Sequence, residues 1–329
     1  MINIVQMGLG PIGQQLTRYL NEREGISIVG GVDLDPQKIG NDIGIHAGLD
    51  RFGTEIVANV ESVQNIKEAD VAVITTLSDL KKIEQQIMAT ADCGLDIIST
   101  CEELSHPWKT QPSTATRIDD YCCGKGVSCL GTGVNPGFLM DYLPSVLTSV
   151  CRNVEQIRVE RIQNAEPRRL PFRDKIGVGL SKQKFNENRD GIRHVGLEES
   201  VCMIADAMKW NLNEVTETLE PVIATKDLKN GRIDVNKGEV VGVEQISRGY
   251  MNNNEVITLV FKAAIGVTDS HDTITISGTP SFTSTIDGGI NGDIATSAIT
   301  VNTIRSVLEA SPGLKTMLDI RGPAYFSHT

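Results

Sequence analysis

Short apolar runs alternate with amphipathic stretches through the first 137 residues. Between the runs, apolar side chains recur every three or four positions, the spacing of a helix with one buried face, at residues 12–20, 80–91 and 114–125. Continuous apolar strands between such helices are typical of a parallel sheet covered on both faces. We therefore predict an α/β domain with a doubly wound parallel sheet over residues 1–137. Its predicted strands are residues 2–7, 26–32, 71–76, 95–100 and 127–130.

The pattern changes after about residue 150. Apolar and polar positions alternate over residues 154–162, 257–265 and 273–277, as expected for strands with one covered face. Residues 198–209 have helical spacing. We predict a second, α+β domain with an open mixed sheet over residues 138–290, and expect it to bind substrate and to dimerise. A final helix at residues 295–308 lies in a segment, 291–329, that we expect to pack back on the first domain.

Composition narrows the function classes. With 329 residues and 40% hydrophobic content the chain can form two cored domains, and its net charge of −11 argues against nucleic-acid or anionic-membrane partners. It has neither an apolar run of membrane-spanning length nor a secretory leader, so we expect a cytoplasmic protein. The seven cysteines show no disulfide or metal-ligand spacing, so free thiols and no metal are expected.

A glycine-rich motif, GLGPIG, lies between the first strand and the first helix. In a G-x-G-x-x-G turn, Gly8 permits the tight bend, Gly10 allows backbone to approach a pyrophosphate, and Gly13 allows close packing of helix on strand. The helix N-terminus adds free amides and a positive dipole end. These features predict a Rossmann-type dinucleotide site. The predicted cofactor residues of this loop are Gly8, Gly10, Pro11, Ile12 and Gly13.

An acidic residue supports the same site and bears on which cofactor binds. Asp33 ends the second strand, twenty residues after Gly13. A carboxylate there accepts hydrogen bonds from the ribose 2′-hydroxyl and repels a 2′-phosphate, so NAD is favoured over NADP. Lys38, which can reach a 2′-phosphate, keeps NADP open. The alternative is that Asp33 belongs to a solvated turn before Pro36.

Ligands of doubly wound sheets bind beyond the carboxyl ends of the strands. This rule selects the segments 75–78, 99–103 and 131–137. The middle segment also places Glu102 and Glu103 at the mouth of the site. The predicted cofactor residues of these segments are Thr75, Thr76, Ser99, Thr100 and Asn135.

Several separated motifs together resemble a known family. MGLGPIGQ, STCEEL, GTGVNPGFLMD, HVGLEES, GGINGDIATSAITVN and PGLKTM are similar to segments of the 2,4-diaminopentanoate dehydrogenases and the native amine dehydrogenases, relatives of dihydrodipicolinate reductase. The resemblance extends to about residue 320. It implies a homodimer that uses NAD or NADP to deaminate a primary amine oxidatively to a ketone, with release of ammonia, and that runs in reverse as a reductive amination.

The resemblance also implies site residues. The family's catalytic glutamate maps to Glu102, with Glu103 as the alternative one position away, and His194 falls on a motif of the second domain. A carboxylate suits the reaction, because hydride loss from an amine carbon leaves a positive charge and the attack of water then needs a base. Glu102 and Glu103 could instead cap a helix or be solvated, and His194 could be structural.

Four further residues have two interpretations each. Arg168 and Arg169 match a basic pair of the family and could contact a substrate carboxylate, or could be solvated or lie at an interface. His106 and Trp108 could belong to a loop over the site, or could pack in the core. Near the end of the chain, Asn291 and Asp293 are expected to cap the last helix.

Two other functions remain open from the sequence. The scaffold could reduce a cyclic imine or an unsaturated heterocycle, although the His-His motif of dihydrodipicolinate reductases is absent from the sequence. It could also be a nucleotide-sensing protein without catalysis. The Glu-Lys-Pro motif of glucose–fructose oxidoreductases is replaced by Glu102, Glu103 and Leu104, which disfavours lysine-based alcohol oxidation. An open sheet also needs its second face covered, which a second copy of the chain can do.

Overall fold

The chain folds into two compact units in a computed structural model that describes residues 1–192, 196–229 and 234–328. The first unit comprises Met1–Phe138 and Asn291–Thr329, and the second comprises Leu139–Ile290. The strands are β1 (Ile2–Met7), β2 (Ile26–Val32), β3 (Ile56–Val57), β4 (Val71–Ile74), β5 (Asp96–Ser99), β6 (Ser128–Gly131), β7 (Asn153–Asn164), β8 (Glu214–Ile223), β9 (Leu228–Lys229), β10 (Asp234–Val235), β11 (Val240–Met251), β12 (Asn254–Ala264), β13 (His271–Thr279), β14 (Phe282–Asp287) and β15 (Gly313–Lys315). The helices are α1 (Pro11–Asn21), α2 (Ile43–His46), α3 (Leu80–Asp92), α4 (Pro107–Thr110), α5 (Pro112–Lys125), α6 (Tyr142–Leu147), α7 (Leu170–Lys175), α8 (Lys182–Glu187), α9 (Leu197–Met208), α10 (Gly292–Asn302) and α11 (Ile304–Leu308).

The first unit is built on a parallel sheet in the order β15-β6-β5-β4-β1-β2-β3. This confirms the predicted doubly wound sheet. From β1 the chain adds β2 and β3 on one side and then β4, β5 and β6 on the other. The strands are apolar along their length because helices cover both faces. The helix residues buried against the sheet are those at helical spacing in the sequence, among them Leu16, Leu20, Ile83, Ile87 and Ile118.

The second unit is built on a mixed sheet in the order β14-β13-β7-β12-β11-β8. Only β7 and β12 pair in parallel, and the other neighbours are antiparallel, which confirms the predicted open mixed sheet. One face, which includes Ile157, Val159 and Leu259, is buried, and α9 packs on strands β8, β11 and β12. The opposite face carries partly exposed charged residues such as Arg158 and Glu160.

Several strands were not predicted from the sequence, among them the covered strand β11, whose buried positions include Gln245, Ser247 and Gly249 and so break the apolar alternation. β8 and β14 are the edge strands of the second sheet, and their half-exposed, polar residues lack the apolar alternation of a covered strand. β15 has three residues, too few to show a period. The single helix predicted at residues 295–308 was wrong, because α10 ends at Asn302 and α11 begins at Ile304.

Serine and threonine hydroxyls bond to helix carbonyls in α10 and at the break between α10 and α11. Within α10 the hydroxyls of Ser297 and Thr300 donate to carbonyls one turn earlier, and that of Thr303 donates to Thr300 O at 2.9 Å. Such bonds compete with the helical ladder and bend helices. At the start of α10, Asn291 Oδ1 accepts from the amides of Asp293 and Ile294, so Asn291 is the cap and Asp293 supplies an amide to it.

A buried ion pair anchors the end of the second unit. Arg161, only 2% exposed, donates from Nη1 to Asp272 Oδ1 at 2.9 Å and from Nη2 to Ile290 O at 3.0 Å. Asp272 Oδ2 in turn accepts from Ile290 N at 2.7 Å. Burial lowers the pKa of Arg161 to about 10, although Asp272 acts in the opposite direction. Both backbone polar groups of Ile290 are therefore held by side chains of the sheet.

Replacing Asp272 with alanine should destabilise this unit strongly, because the Arg161 guanidinium would stay buried without its counter-ion. We expect Asp272→Ala to lower the free energy of unfolding by about 3–5 kcal/mol, measured by urea denaturation. The control is Asp269→Ala, since the Asp269 side chain is 95% exposed. A change of at most about 0.5 kcal/mol is expected there. Equal effects of the two substitutions would contradict a structural role for the ion pair.

Candidate active site

The glycine-rich loop brings the start of α1 directly against β1. Gly8 has a φ of +85°, and a Cβ added there would lie 2.9 Å from the backbone carbon and oxygen of Thr75. A Cβ on Gly13 would lie 1.9 Å from Gly8 O, so both positions require glycine. Gly10 differs, since a Cβ there would meet nothing within 4 Å. The loop is thus tightly packed on the protein side and open at Gly10.

The N-terminus of α1 offers amides to a ligand. Gly10 is the N-cap residue and has no side chain to cap the helix, and Pro11 occupies the first turn. The first-turn amides, with that of Ile12 among them, therefore lack a capping side chain and carry the positive end of the helix dipole. An uncapped N-terminus beside open space at Gly10 fits the pyrophosphate of a dinucleotide.

The Asp33 carboxylate lies beside this loop and accepts three hydrogen bonds. Its Oδ2 accepts from Leu9 N at 2.7 Å and from Lys38 Nζ at 2.9 Å. Its Oδ1 accepts from Asp35 N at 3.0 Å. Burial raises the pKa of Asp33, but the hydrogen bond from Lys38 and those from the two backbone amides outweigh burial and lower the pKa below its usual value. The carboxylate therefore stays ionised at neutral pH.

Two residues that were not predicted from the sequence, Gln6 and His46, contact the glycine-rich loop. Gln6 is fully buried in β1, and its Nε2 donates to Gly8 O at 3.2 Å and to Thr75 Oγ1 at 3.0 Å. His46 Nε2 lies 3.0 Å from Leu9 O and 3.2 Å from Gln14 Nε2. A polar residue inside the apolar β1 was the available signal for Gln6. His46, distant in sequence, gave none.

The other predicted cofactor residues lie where β4, β5 and β6 end, on one edge of the sheet. Thr75 donates from its hydroxyl to Gly8 O at 2.7 Å, and Thr76 is exposed with its hydroxyl on Gln86 Oε1. Ser99 is buried and accepts from Cys101 N at 3.1 Å. Thr100 and Asn135 complete the set. Thr100 N donates to Ile74 O at 3.0 Å, and Asn135 is 9% exposed before a cis peptide bond to Pro136.

The two candidate catalytic carboxylates lie in different surroundings within one 3-10 turn, Glu102–Leu104, that follows β5. Glu103 Oε2 accepts from Leu80 N at 2.9 Å and from Gln111 Nε2 at 2.7 Å. Glu102 is half-buried, and its carbonyl accepts from the Ser105 hydroxyl at 2.8 Å. The Glu103 carboxylate is therefore part of the framework of the turn.

The remaining candidates are dispersed. His106 is 1% exposed at the start of α4, and Trp108 packs on the apolar core of the first unit. In the second unit Arg168 donates to Gln163 Oε1 at 3.1 Å, with its guanidinium 3.9 Å from the ring centre of Phe172. Arg169 is exposed at the start of α7. His194 lies outside the described residues, so its role stays a prediction.

Among the described residues, no three His, Cys, Asp or Glu side chains are grouped so that they could hold a metal ion. Within the same part of the chain, no helix is both long enough and apolar enough to cross a membrane.

Known proteins resemble this chain along nearly its whole length. The profile of the 2,4-diaminopentanoate dehydrogenase C-terminal domain matches residues 138–328. The 2,4-diaminopentanoate dehydrogenase of Acetoanaerobium sticklandii is 31% identical over 333 residues, which cover 98% of this chain and 94% of that protein.

Solved structures show the same fold at lower identity. An amine dehydrogenase from Mycobacterium smegmatis matches with a TM-score of 0.88 at 22% identity, over 100% of this chain and 98% of that one. A mutant of meso-dapdh from Clostridium tetani E88, solved with DAP, matches with a TM-score of 0.53 at 13% identity, over 98% and 95% of the two chains. With the family profile over more than half of its length and a relative matched almost end to end, the chain belongs to the 2,4-diaminopentanoate dehydrogenase family, as its sequence motifs predicted.

Proposed function

We propose that the protein catalyses the NAD(P)-dependent oxidative deamination of a primary amine, 2,4-diaminopentanoate or a simpler amine, to a ketone and ammonia, and the reverse reductive amination. The observation that carries this proposal is the position of the half-buried Glu102. It lies in the turn after β5, at the edge of the sheet where the glycine-rich loop leads into the uncapped N-terminus of α1. The dehydrogenase of A. sticklandii supports the choice of reaction. His194 remains a candidate to line the pocket.

The first unit contains the groups that a dinucleotide needs. The first-turn amides of α1 and the open side of Gly10 would hold the pyrophosphate, and Asp33 would accept hydrogen bonds from the adenosine ribose. Thr75 and Gln6 hold the loop in shape through Gly8 O. When bound, the nicotinamide supplies the acceptor for the hydride that leaves the amine carbon.

Glu102 then performs the proton chemistry and stabilises charge. Loss of hydride leaves a positive carbon–nitrogen double bond in the substrate, and a nearby carboxylate stabilises that charge. The same carboxylate takes a proton from the water that attacks the carbon and gives it to the nitrogen. It then takes the proton of the new hydroxyl group as ammonia leaves and the ketone forms. In the reverse direction Glu102 accepts and donates the same protons in the opposite order.

Replacing Glu102 with glutamine should remove this proton chemistry and leave cofactor binding in place. We expect Glu102→Gln to lower kcat by about 100-fold or more, since general acid–base catalysis contributes that much. The dissociation constant for NADH, measured by fluorescence, should stay within about twofold, because the amide has the same shape and lies outside the phosphate loop. Glu61→Gln, at an exposed glutamate, is the matched control and should match the unsubstituted enzyme.

The assay follows reduction of NAD or NADP with 2,4-diaminopentanoate and with simple primary amines. Absence of turnover with every amine and amino acid would rule out the proposed reaction. Reduction of a preformed cyclic imine without any need for ammonia would instead indicate the reductase alternative.

We further propose that NAD is preferred over NADP. The Asp33 carboxylate would face a 2′-phosphate with like charge, and Lys38 is engaged by Asp33 at 2.9 Å. The like charge of Asp33 at short range disfavours NADP binding, whereas a Lys38 ammonium that was no longer paired with Asp33 would favour it.

Neutralising Asp33 should therefore shift cofactor preference. In Asp33→Asn an amide oxygen can keep the hydrogen bond from Leu9 N while the repulsion is lost and Lys38 is released. We expect the ratio of kcat/KM for NADP to that for NAD to rise about tenfold, a change of about 1.4 kcal/mol. Asp35→Asn is the control, because Asp35 is more exposed and 3.8 Å from Lys38. An equal shift in both variants would count against Asp33 as the determinant.

We also propose that the protein is a homodimer joined through the partly exposed face of the second unit's sheet. Ile162, Ile246 and Val260 lie on this face. An ion pair of 3.2 Å between Lys262 and Glu244 flanks them. Apolar residues framed by charges of both signs suit a contact between identical copies.

A charge at the centre of this face should separate the copies. Ile246→Asp is expected to shift the protein from dimer to monomer in sedimentation at micromolar concentration, because removing a carboxylate from water in the middle of an apolar contact is costly. Val150→Asp, at a residue that is 68% exposed in the second unit, should leave the dimer intact. A monomer before any substitution would disprove the dimer.

A further inference from the structure

We propose that Glu103 is a positioning residue, whose carboxylate fastens the turn that carries Glu102 to two helices and takes no part in the chemistry. This inference rests on the proposed function, because it concerns the orientation of the catalytic carboxylate. Sequence reasoning left Glu102 and Glu103 as alternatives one residue apart. The two hydrogen bonds that the Glu103 carboxylate accepts assign it a structural role.

The first attachment is to α3. Leu80 is the first residue of that helix, and its amide donates to Glu103 Oε2 at 2.9 Å. The N-cap residue of α3, Asp79, accepts from Lys82 N instead. First-turn amides have no partner within their own helix, and a carboxylate at this end is also favoured by the helix dipole. Glu103 thus completes the capping of α3 from a neighbouring segment.

The second attachment is to the start of α5. Gln111 Nε2 donates to the same Glu103 oxygen at 2.7 Å. The backbone of Gln111 is itself held, because its carbonyl accepts from the amides of Thr114 and Ala115 and its amide donates to Pro107 O. One carboxylate oxygen therefore links the turn to the beginnings of two helices whose own positions are set by the core.

The opposite side of the turn is packed against β6. Leu104 is fully buried, and a Cβ added to Gly131 would lie 2.5 Å from the backbone carbon and oxygen of Leu104. The ends of the turn are tied by the bonds of Cys101 N to Ser99 Oγ and of the Ser105 hydroxyl to Glu102 O. With strand backbone on one side and Glu103 on the other, the backbone of Glu102 has little freedom to shift.

The two proposed roles therefore require different properties of the two side chains. Glu103 serves only as an acceptor for two N–H donors, and an amide oxygen can do the same. Glu102 must carry a negative charge and exchange a proton, which an amide cannot do. Substitution by glutamine consequently distinguishes the two roles, and substitution by alanine shows whether position matters.

The test compares kcat for amine oxidation among four variants. Glu103→Gln is expected to stay within about threefold of the unsubstituted enzyme, whereas Glu103→Ala should lose about tenfold or more in kcat, since small misplacements of reacting groups are costly. Gln111→Ala should lose less than Glu103→Ala. The double alanine variant should lose no more than Glu103→Ala alone, because the two residues share one interaction. KM for NAD should stay within about twofold throughout, as an effect on orientation alone requires.

Several outcomes would overturn the inference. A loss in Glu103→Gln as large as in Glu102→Gln would make Glu103 the chemical group, and wild-type kcat in Glu103→Ala would remove its positioning role. Thermal unfolding of each variant checks the fold. If Glu103→Ala does not fold, Gln111→Ala provides the test, because it keeps the hydrogen bond from Leu80 to Glu103. A wild-type kcat in Gln111→Ala would then overturn the inference. Failure of the proposed function is seen differently, as no amine turnover by the unsubstituted protein.

Discussion

Direct backbone contact between Gly8 and Gly13 is the constraint on which the rest of the first unit depends. Because neither residue has a side chain, α1 can begin immediately against β1, and its uncapped N-terminus lies at the carboxyl edge of the sheet. The hydroxyl of Thr75, after the neighbouring strand β4, and the side-chain amide of Gln6, within β1 itself, both donate to the Gly8 carbonyl. A larger residue at either glycine would push the helix away from the strand.

Buried polar groups organise both units by the same physical rule. Taking a carboxylate or guanidinium out of water is costly unless it is paired and hydrogen-bonded, so each such group defines the positions of its partners. Asp33 holds Leu9 and Lys38 beside the phosphate loop. In the second unit Arg161 and Asp272 together hold both backbone polar groups of Ile290. The apolar cores provide stability, and these polar contacts provide defined geometry.

The sequence was informative wherever burial imposes a period or a motif imposes a backbone shape. The parallel sheet, strands β7, β12 and β13 of the mixed sheet and the helices α1, α3, α5 and α9 were predicted because their apolar spacing is regular. The edge strands β8 and β14 and the short β15 were not predicted, since residues at an edge are half-solvated and three residues show no period. The interruption at Thr303 was missed because the apolar spacing continues without a break from α10 into α11.

The sequence by itself determined the family, the two sheets and the set of candidate site residues, because glycine spacing and apolar periodicity are local properties of the chain. It placed Glu102 and Glu103 at one sheet edge and could not distinguish them. Only the tertiary structure showed that Leu80 and Gln111, 23 and 8 residues away along the chain, both donate to Glu103. It also brought His46 to Leu9 across 37 residues. Hydrogen bonds between distant segments depend on how helices pack on the sheet, and no local pattern encodes them.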